Sequence, residues 1–194
     1  MLALRGGDGS AFDVLFERWA GRLLRYLERV VGDAATAEEL VQEAFLRVYR
    51  ARERYEPGAR FSTWLYTIGT RLALNELRRP ARRTPHQSTD DPGAPPLPVA
   101  ADEAPPDRVA DARRLAGRVE AHLAELPERQ RAALLLSAVE GLSYAEVAAA
   151  LGTTEKSVKA LVHRARAALA DRMAAARPVA AGGGRAGPAT EEDP

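Results

Sequence analysis

The amino-acid sequence predicts an all-α protein: two small helical domains, the C-terminal one a helix-turn-helix, joined by a flexible linker. Three observations carry this. Apolar residues recur at helical spacing in two separate blocks, and no stretch alternates with a period of two. Residues 84–107 hold many prolines and five acids but no basic residue. Ala148, Gly152 and Val158 stand at offsets that let two short helices cross at a tight turn. The expected units are residues 1–83, a linker over 84–107, residues 108–176 and a disordered tail over 177–194.

The first block reads as three helices. Phe12, Leu15, Phe16, Trp19, Leu23, Leu27 and Val30 form one apolar stripe, broken at Gly32-Asp33. Leu40, Val41, Ala44, Phe45, Val48 and Tyr49 form a second. After the Pro57-Gly58 loop signal, Phe61, Leu65, Ile68 and Leu72 form a third, which ends before Pro80. Phe12, Phe16, Trp19 and Phe45 are expected in the core.

The linker cannot bury enough apolar surface to order itself. Its 24 residues extend to roughly 80 Å at ~3.3–3.6 Å each. Beyond it, Leu115, Val119, His122, Leu123 and Leu126 line a helix. Pro127 sits where a first helical residue tolerates proline, opening a helix to about Glu140 that Gly141 stops. Ser143 and Glu146 form a capping box for a short helix ending at Gly152. A longer helix follows from about Thr154, with Val158, Leu161, Val162, Ala165 and Leu169 on one face.

Composition narrows the function. The chain has 194 residues, 28 basic and 27 acidic side chains, three histidines and no cysteine. Disulfides, thiolate metal sites and catalytic thiols are therefore excluded. No phosphate loop, nucleophile elbow or metal-ligand cluster is present, so no catalytic residue, cofactor or metal is predicted. No apolar run is long enough to span a bilayer, and the N-terminus lacks a signal-peptide core, so a soluble cytoplasmic protein without membrane insertion is expected. The net charge of +1 hides two basic blocks. Residues 1–83 carry 15 arginines against 11 acids, and residues 108–176 carry 11 basic against 8 acidic side chains. The segment between them is at −5. Such a distribution fits a nucleic-acid partner.

Two features give that partner a form. Both lysines of the chain, Lys156 and Lys159, fall in the first turns of the second helix of the helix-turn-helix, with Ser157 between them and His163, Arg164 and Arg166 following. A helix entering a major groove by its N-terminal end presents such residues to phosphates and guanine edges. An ordinary helical hairpin with a solvated basic face is the alternative. In the first block, Tyr55, Phe61, Trp64 and Tyr66 surround the Pro57-Gly58 loop among Arg52, Arg54, Arg60 and Arg71. Aromatic faces beside arginines stack unpaired bases, which suits an opened strand rather than a duplex. The alternative is a core role for Phe61 and Trp64. The middle helix, Ala37 to Arg50, carries its acids first and its arginines last, which suits the helix dipole and equally a docking face for a helical partner.

Together these residues resemble the RNA polymerase sigma factors, in particular the two-domain extracytoplasmic-function group. The resemblance covers about residues 10–83 and 108–174. Glu39-Leu-Val-Gln-Glu-Ala-Phe45 is similar to the helix that docks on the polymerase clamp. Arg60-Phe-Ser-Thr-Trp-Leu-Tyr-Thr-Ile68, continued by Leu74-Asn-Glu-Leu-Arg-Arg79, is similar to the strand-opening, minus-ten-reading helix. Leu126-Pro-Glu-Arg-Gln-Arg131, Glu140 to Ala148 and Ser157 to Arg166 are similar to the C-terminal helix-turn-helix domain.

The resemblance implies contacts of Glu39, Leu40, Gln42, Glu43 and Phe45 with core polymerase. The loop from Tyr55 to Phe61 would pocket a flipped minus-ten base. Arg60, Trp64, Tyr66, Arg71, Asn75, Arg78 and Arg79 would line or support that site. Lys156, Ser157, Lys159, Ala160, His163, Arg164 and Arg166 would read or clamp the minus-thirty-five duplex. Implied partners are the clamp of the largest core subunit, the flap of the second largest, and promoter DNA; an anti-sigma factor is left open. The acidic linker would span the two promoter elements and lie in a basic polymerase channel, or act as a passive spacer. Ile68-Gly-Thr-Arg71 departs from the family's common Ile-Ala-Arg-Asn, Asn75 from a frequent Asp, and Ser157-Val-Lys-Ala-Leu161 from a frequent Thr-Val-Lys-Ser-Arg. A stand-alone helix-turn-helix regulator would explain residues 108–176 but not the aromatic loop; an all-helical adaptor binding only protein would show no salt-dependent DNA affinity.

Overall fold

The computed structural model of the protein describes residues 1–58, 60–79 and 106–175. The linker expected over 84–107, up to residue 105, and the tail expected over 177–194 lie outside the described residues. Among the described residues all regular structure is helical: α1 (Leu2–Arg5), α2 (Ser10–Val31), α3 (Ala34–Arg50), a 3₁₀ turn (Arg52–Arg54), α4 (Phe61–Leu77), α5 (Pro106–Ala124), α6 (Glu128–Ala138), α7 (Tyr144–Leu151) and α8 (Glu155–Ala175).

The sequence signals set the helix ends. Gly32 takes a left-handed conformation (φ 77°) that closes α2. Asp33 then caps α3, its carboxylate accepting from the Thr36 amide at 2.7 Å. Pro127 is the N-cap of α6 rather than its first residue. The Ser143–Glu146 capping box is present on both sides, and Gly152 (φ 60°) ends α7 in the left-handed region. Thr154 caps α8 by accepting from the Ser157 amide at 3.2 Å. Ala148 and Val158, expected at the helix crossing, are both buried. Arg129 on α6 donates to the Leu151 carbonyl at 2.9 Å, satisfying the free end of α7.

Two expectations are corrected. Phe16, placed in the core by its stripe, is 40% exposed, because it stands at the edge of the α2–α3 packing. Leu115 is 51% exposed, whereas Val119 and Leu123 of the same stripe pack inward, so only the C-terminal part of that stripe joins the core. The short helix α1 was not foreseen; four residues are too few to show a period, and it is held by buried Leu4.

The two helical halves pack on each other. The buried residues of α4 include Thr63, Leu65, Tyr66, Gly69, Thr70, Leu72, Ala73 and Leu74, which no single stripe could supply. One side of α4 meets α2 and α3, and another meets α7 of the second half. One apolar core therefore runs from Leu23 and Phe45 through Leu65 to Val147 and Val162. At Gly69 a Cβ would lie 2.9 Å from Leu23 Cδ1, so the glycine lets α2 and α4 approach closely. Beside it the buried Tyr26 and Thr70 hydroxyls pair at 2.7 Å.

Candidate nucleic-acid interface

The loop between α3 and α4 forms an open cavity of about 280 Å³ lined by Ala51, Arg54, Tyr55, Glu56 and Trp64. The 3₁₀ turn brings Tyr55 back over α4. Its ring meets Trp64 at 5.2 Å between centroids, tilted by 52°. Arg5 of α1 donates to the Tyr55 carbonyl at 3.0 Å and ties the loop to the N-terminal helix. Trp64 in turn touches Phe61 edge-on at 6.2 Å, and Phe61 touches Trp19 at 6.1 Å. The guanidinium groups of Arg18 and Arg22 lie 5.9 and 5.2 Å from the Trp19 ring. Arg18, Trp19 and Arg22 extend the aromatic–arginine surface onto α2, a contribution the sequence reading missed. The signal was available, since an Arg-Trp pair followed by another arginine three positions on places all three on one part of a helix.

The remaining residues expected at this site divide into two groups. Arg60, Arg71, Asn75, Arg78 and Arg79 are exposed. Arg79 pairs with Glu76 at 3.2 Å. Tyr66 faces the other way. It is 1% exposed, packs edge-on against Tyr26 at 5.3 Å, and its hydroxyl donates to the Glu140 carboxylate of the second half. Burial, and then the Glu140 carboxylate, push the Tyr66 phenol well above its ordinary range, so it stays protonated as a donor.

The helix-turn-helix presents its second helix outward. Lys156, Lys159, Ala160, His163, Arg164 and Arg166 are exposed and Ser157 is half-buried, while Val158, Leu161, Val162 and Ala165 form the inner face. All the expected duplex-reading residues thus share the outer part of α8. Ala160 offers a methyl group there and Leu161 is buried, so neither of these departures supplies a polar base contact.

On α3 the expected docking residues also split. Leu40 and Phe45 are buried, at 8% and 2% exposure, and shape the helix from within. Glu39 and Gln42 are exposed, and Glu43 is half-buried with its carboxylate 2.7 Å from Arg47. Gln42 borders a wholly apolar groove formed by Phe12, Phe16, Phe45, Leu46 and Tyr49. Phe16 and Phe45 meet edge-on at 4.8 Å along its floor. No helix among the described residues is long and apolar enough to cross a membrane.

Comparison with known proteins matches this arrangement. Residues 15–84 match the family model for sigma-70 region 2, and residues 116–169 match that for sigma-70 region 4. The chain is 37% identical over 164 residues to the RNA polymerase sigma factor CarQ of Myxococcus xanthus, covering 84% of this chain and 90% of CarQ. It is 36% identical over 171 residues to the ECF RNA polymerase sigma factor SigE of Mycolicibacterium smegmatis, covering 87% of this chain but only 65% of SigE. Among solved structures it resembles CnrH in complex with the cytosolic domain of CnrY, at 26% identity and a TM-score of 0.63, covering 91% of this chain and 97% of CnrH.

Proposed function

Since the chain belongs to the RNA polymerase sigma factors, in their extracytoplasmic-function group, we propose that it is a dissociable initiation subunit that binds core polymerase, directs it to specific promoters and helps open the DNA. It acts in the cytoplasm and has no catalytic step of its own. One observation carries the reading: a single chain holds both an exposed basic recognition helix, α8, and an aromatic-walled cavity at the start of α4.

The division of labour follows from the two surfaces. Lys156, Ser157, Lys159, His163, Arg164 and Arg166 clamp the upstream duplex through phosphates and base edges. The Tyr55–Phe61 loop and Trp64 receive a base that leaves the stack. Flipping costs a few kcal/mol, and stacking on an aromatic side chain returns ~1–3 kcal/mol per base. Arg54 and Glu56 put a cation and a carboxylate at the mouth of that cavity to meet the edge of the base. Arg60, Arg71, Asn75, Arg78 and Arg79 hold the strand beside it. The exposed Glu39, Gln42 and half-buried Glu43, with the neighbouring apolar groove, form the docking face for the polymerase clamp; the second half meets the flap. CnrH was solved with a second protein bound, and an anti-sigma factor is the corresponding partner class here.

Reconstitution with bacterial core polymerase and a library of genomic fragments tests the reading. Discrete promoter-directed transcripts are expected. Absence of such transcripts, with free protein footprinting duplex sites, would establish the stand-alone regulator instead.

A further inference from the structure

The cavity proposed to take the flipped base has one wall on a helix and one on a loop. Trp64 stands on α4 beside the fully buried Leu65, so its backbone is fixed. Tyr55 follows the 3₁₀ turn in extended backbone (φ −69°, ψ 122°) and belongs to no helix. A wall carried by a loop holds its shape only if something outside the loop supports it. We propose that Arg5 supplies that support: it is a positioning residue for strand capture, fixing the Tyr55 backbone so that the ring stays over Trp64. This rests on the function proposed above and deepens it at the same site.

The support is built from the first helix. Leu4 is buried, Met1 packs against the same core, and together they seat α1. The turn that follows is closed by the Asp8 amide, which donates to the Ala3 carbonyl at 3.1 Å. The Asp8 carboxylate accepts the Ser10 amide at 3.0 Å and the Ser10 hydroxyl at 2.6 Å, joining α1 to the start of α2. From this seat Arg5, next to Leu4, reaches the loop and donates to the Tyr55 carbonyl at 3.0 Å, 50 positions on. Among the described residues no other hydrogen bond reaches Tyr55 from outside the turn; its amide donates at 3.4 Å to the Arg52 carbonyl within it. Arg52 holds the other end, its guanidinium 4.2 Å from the Tyr49 ring and 3.0 Å from the Tyr49 carbonyl. The turn is thus pinned at its start by Arg52 and at its end by Arg5.

Arg5 is exposed, so its bond adds little to the stability of the whole fold. Its effect falls on the loop. Without it the Tyr55 peptide is free, the ring can leave Trp64, and an incoming base must restore the arrangement. If losing the bond leaves the walled conformation at about a fifth of the population, apparent strand affinity falls about fivefold. An arginine near a strand can also act directly, by meeting a phosphate. The two roles separate: a phosphate contact adds to the salt slope and does not need the Tyr55 ring, whereas a brace acts only through that ring.

Arg5→Met, which keeps the unbranched stem and removes the donor, tests this in the full chain assembled with bacterial core polymerase. The probe is a fork-junction DNA carrying the single-stranded minus-ten segment of a promoter recovered in the transcription test above. Arg5→Met is expected to weaken its binding about fivefold, and Arg5→Lys, which keeps a donor of similar reach, to stay within about twofold of wild type. In a Tyr55→Leu background the same Arg5→Met change is expected to weaken binding by less than about twofold. The salt slope should not change. Equal losses in the two backgrounds, or a slope lowered by about one, would overturn the proposal. Amide exchange in the free chain, followed by NMR, needs no promoter. The Tyr55 amide is expected to exchange about fivefold faster in Arg5→Met, with the amides of α3 and α6 unchanged. Unchanged exchange at Tyr55 would also overturn the proposal. Should Arg5→Met unseat α1, seen as faster exchange around Leu4, Arg5→Ala carries the same comparison. Absence of promoter-directed transcripts with wild type would instead overturn the function proposed above, and the exchange measurement then decides the brace by itself.

Discussion

Gly69 and Thr70, which depart from the pattern common in the family, have a structural reason. Gly69 admits Leu23, and Thr70 gives the buried Tyr26 hydroxyl its partner at 2.7 Å. Thr70→Val keeps the shape and removes the partner. A cost of ~1–3 kcal/mol is expected from the stranded hydroxyl, read as a lower urea midpoint, with Thr70→Ser losing less. Glu146 offers a pH test. Its carboxyl is held below the ordinary 4.5 first by the Thr63 hydroxyl, then by the Ser143 amide and hydroxyl. Because the folded value lies below the unfolded one, its stabilisation is complete above about 4.5 and fades as pH falls through the lowered value. The stability difference between wild type and Glu146→Gln should therefore shrink from about pH 7 to about pH 3. Residue types at Tyr55, Trp64 and Lys159 were legible as candidates from sequence. The depth of Tyr66 was not, because it is set by Tyr26 on another helix and by Glu140, 74 positions away.

At the scale of elements, periodicity and caps located seven of the eight α-helices of the described residues. They located faces better than depth: Phe16 and Leu115 lie on apolar stripes yet remain well exposed. Helix α4 is the informative failure. Its second buried side exists only because α7 lies on it, and an apolar stripe records no partner from another half. The capping box of α7 was legible because it is local. Ser143→Ala should cost about 1 kcal/mol, measured by chemical denaturation, and should loosen the turn that aims α8. The proposed function divides by element as well. Lys159→Ala on α8 should weaken duplex binding and lower the salt slope by about one. Trp64→Ala on α4 should leave that binding intact and slow promoter opening, followed by permanganate reactivity of unpaired thymines. Normal opening in the second variant would remove Trp64 from the strand site.

At the scale of the molecule, one core runs through both halves of the described residues. Unfolding of the free chain should accordingly be a single transition, with circular dichroism and hydrogen exchange in α3 and in α6 reporting the same midpoint. Glu140→Gln/Glu146→Gln should split it, the two halves melting apart. The division into halves was visible in composition, through the acidic proline-rich stretch; their embrace was not, since it rests on pairs such as Thr63 with Glu146, 83 positions apart. The aromatic surface at the start of α4 has an optical consequence. Both tryptophans of the chain, Trp19 and Trp64, flank Phe61 there. Indole emission is quenched when a nucleobase lies against the ring, so the proposed docking of a melted strand should dim the unlabelled protein, and a stopped-flow trace would time that event against the later appearance of RNA.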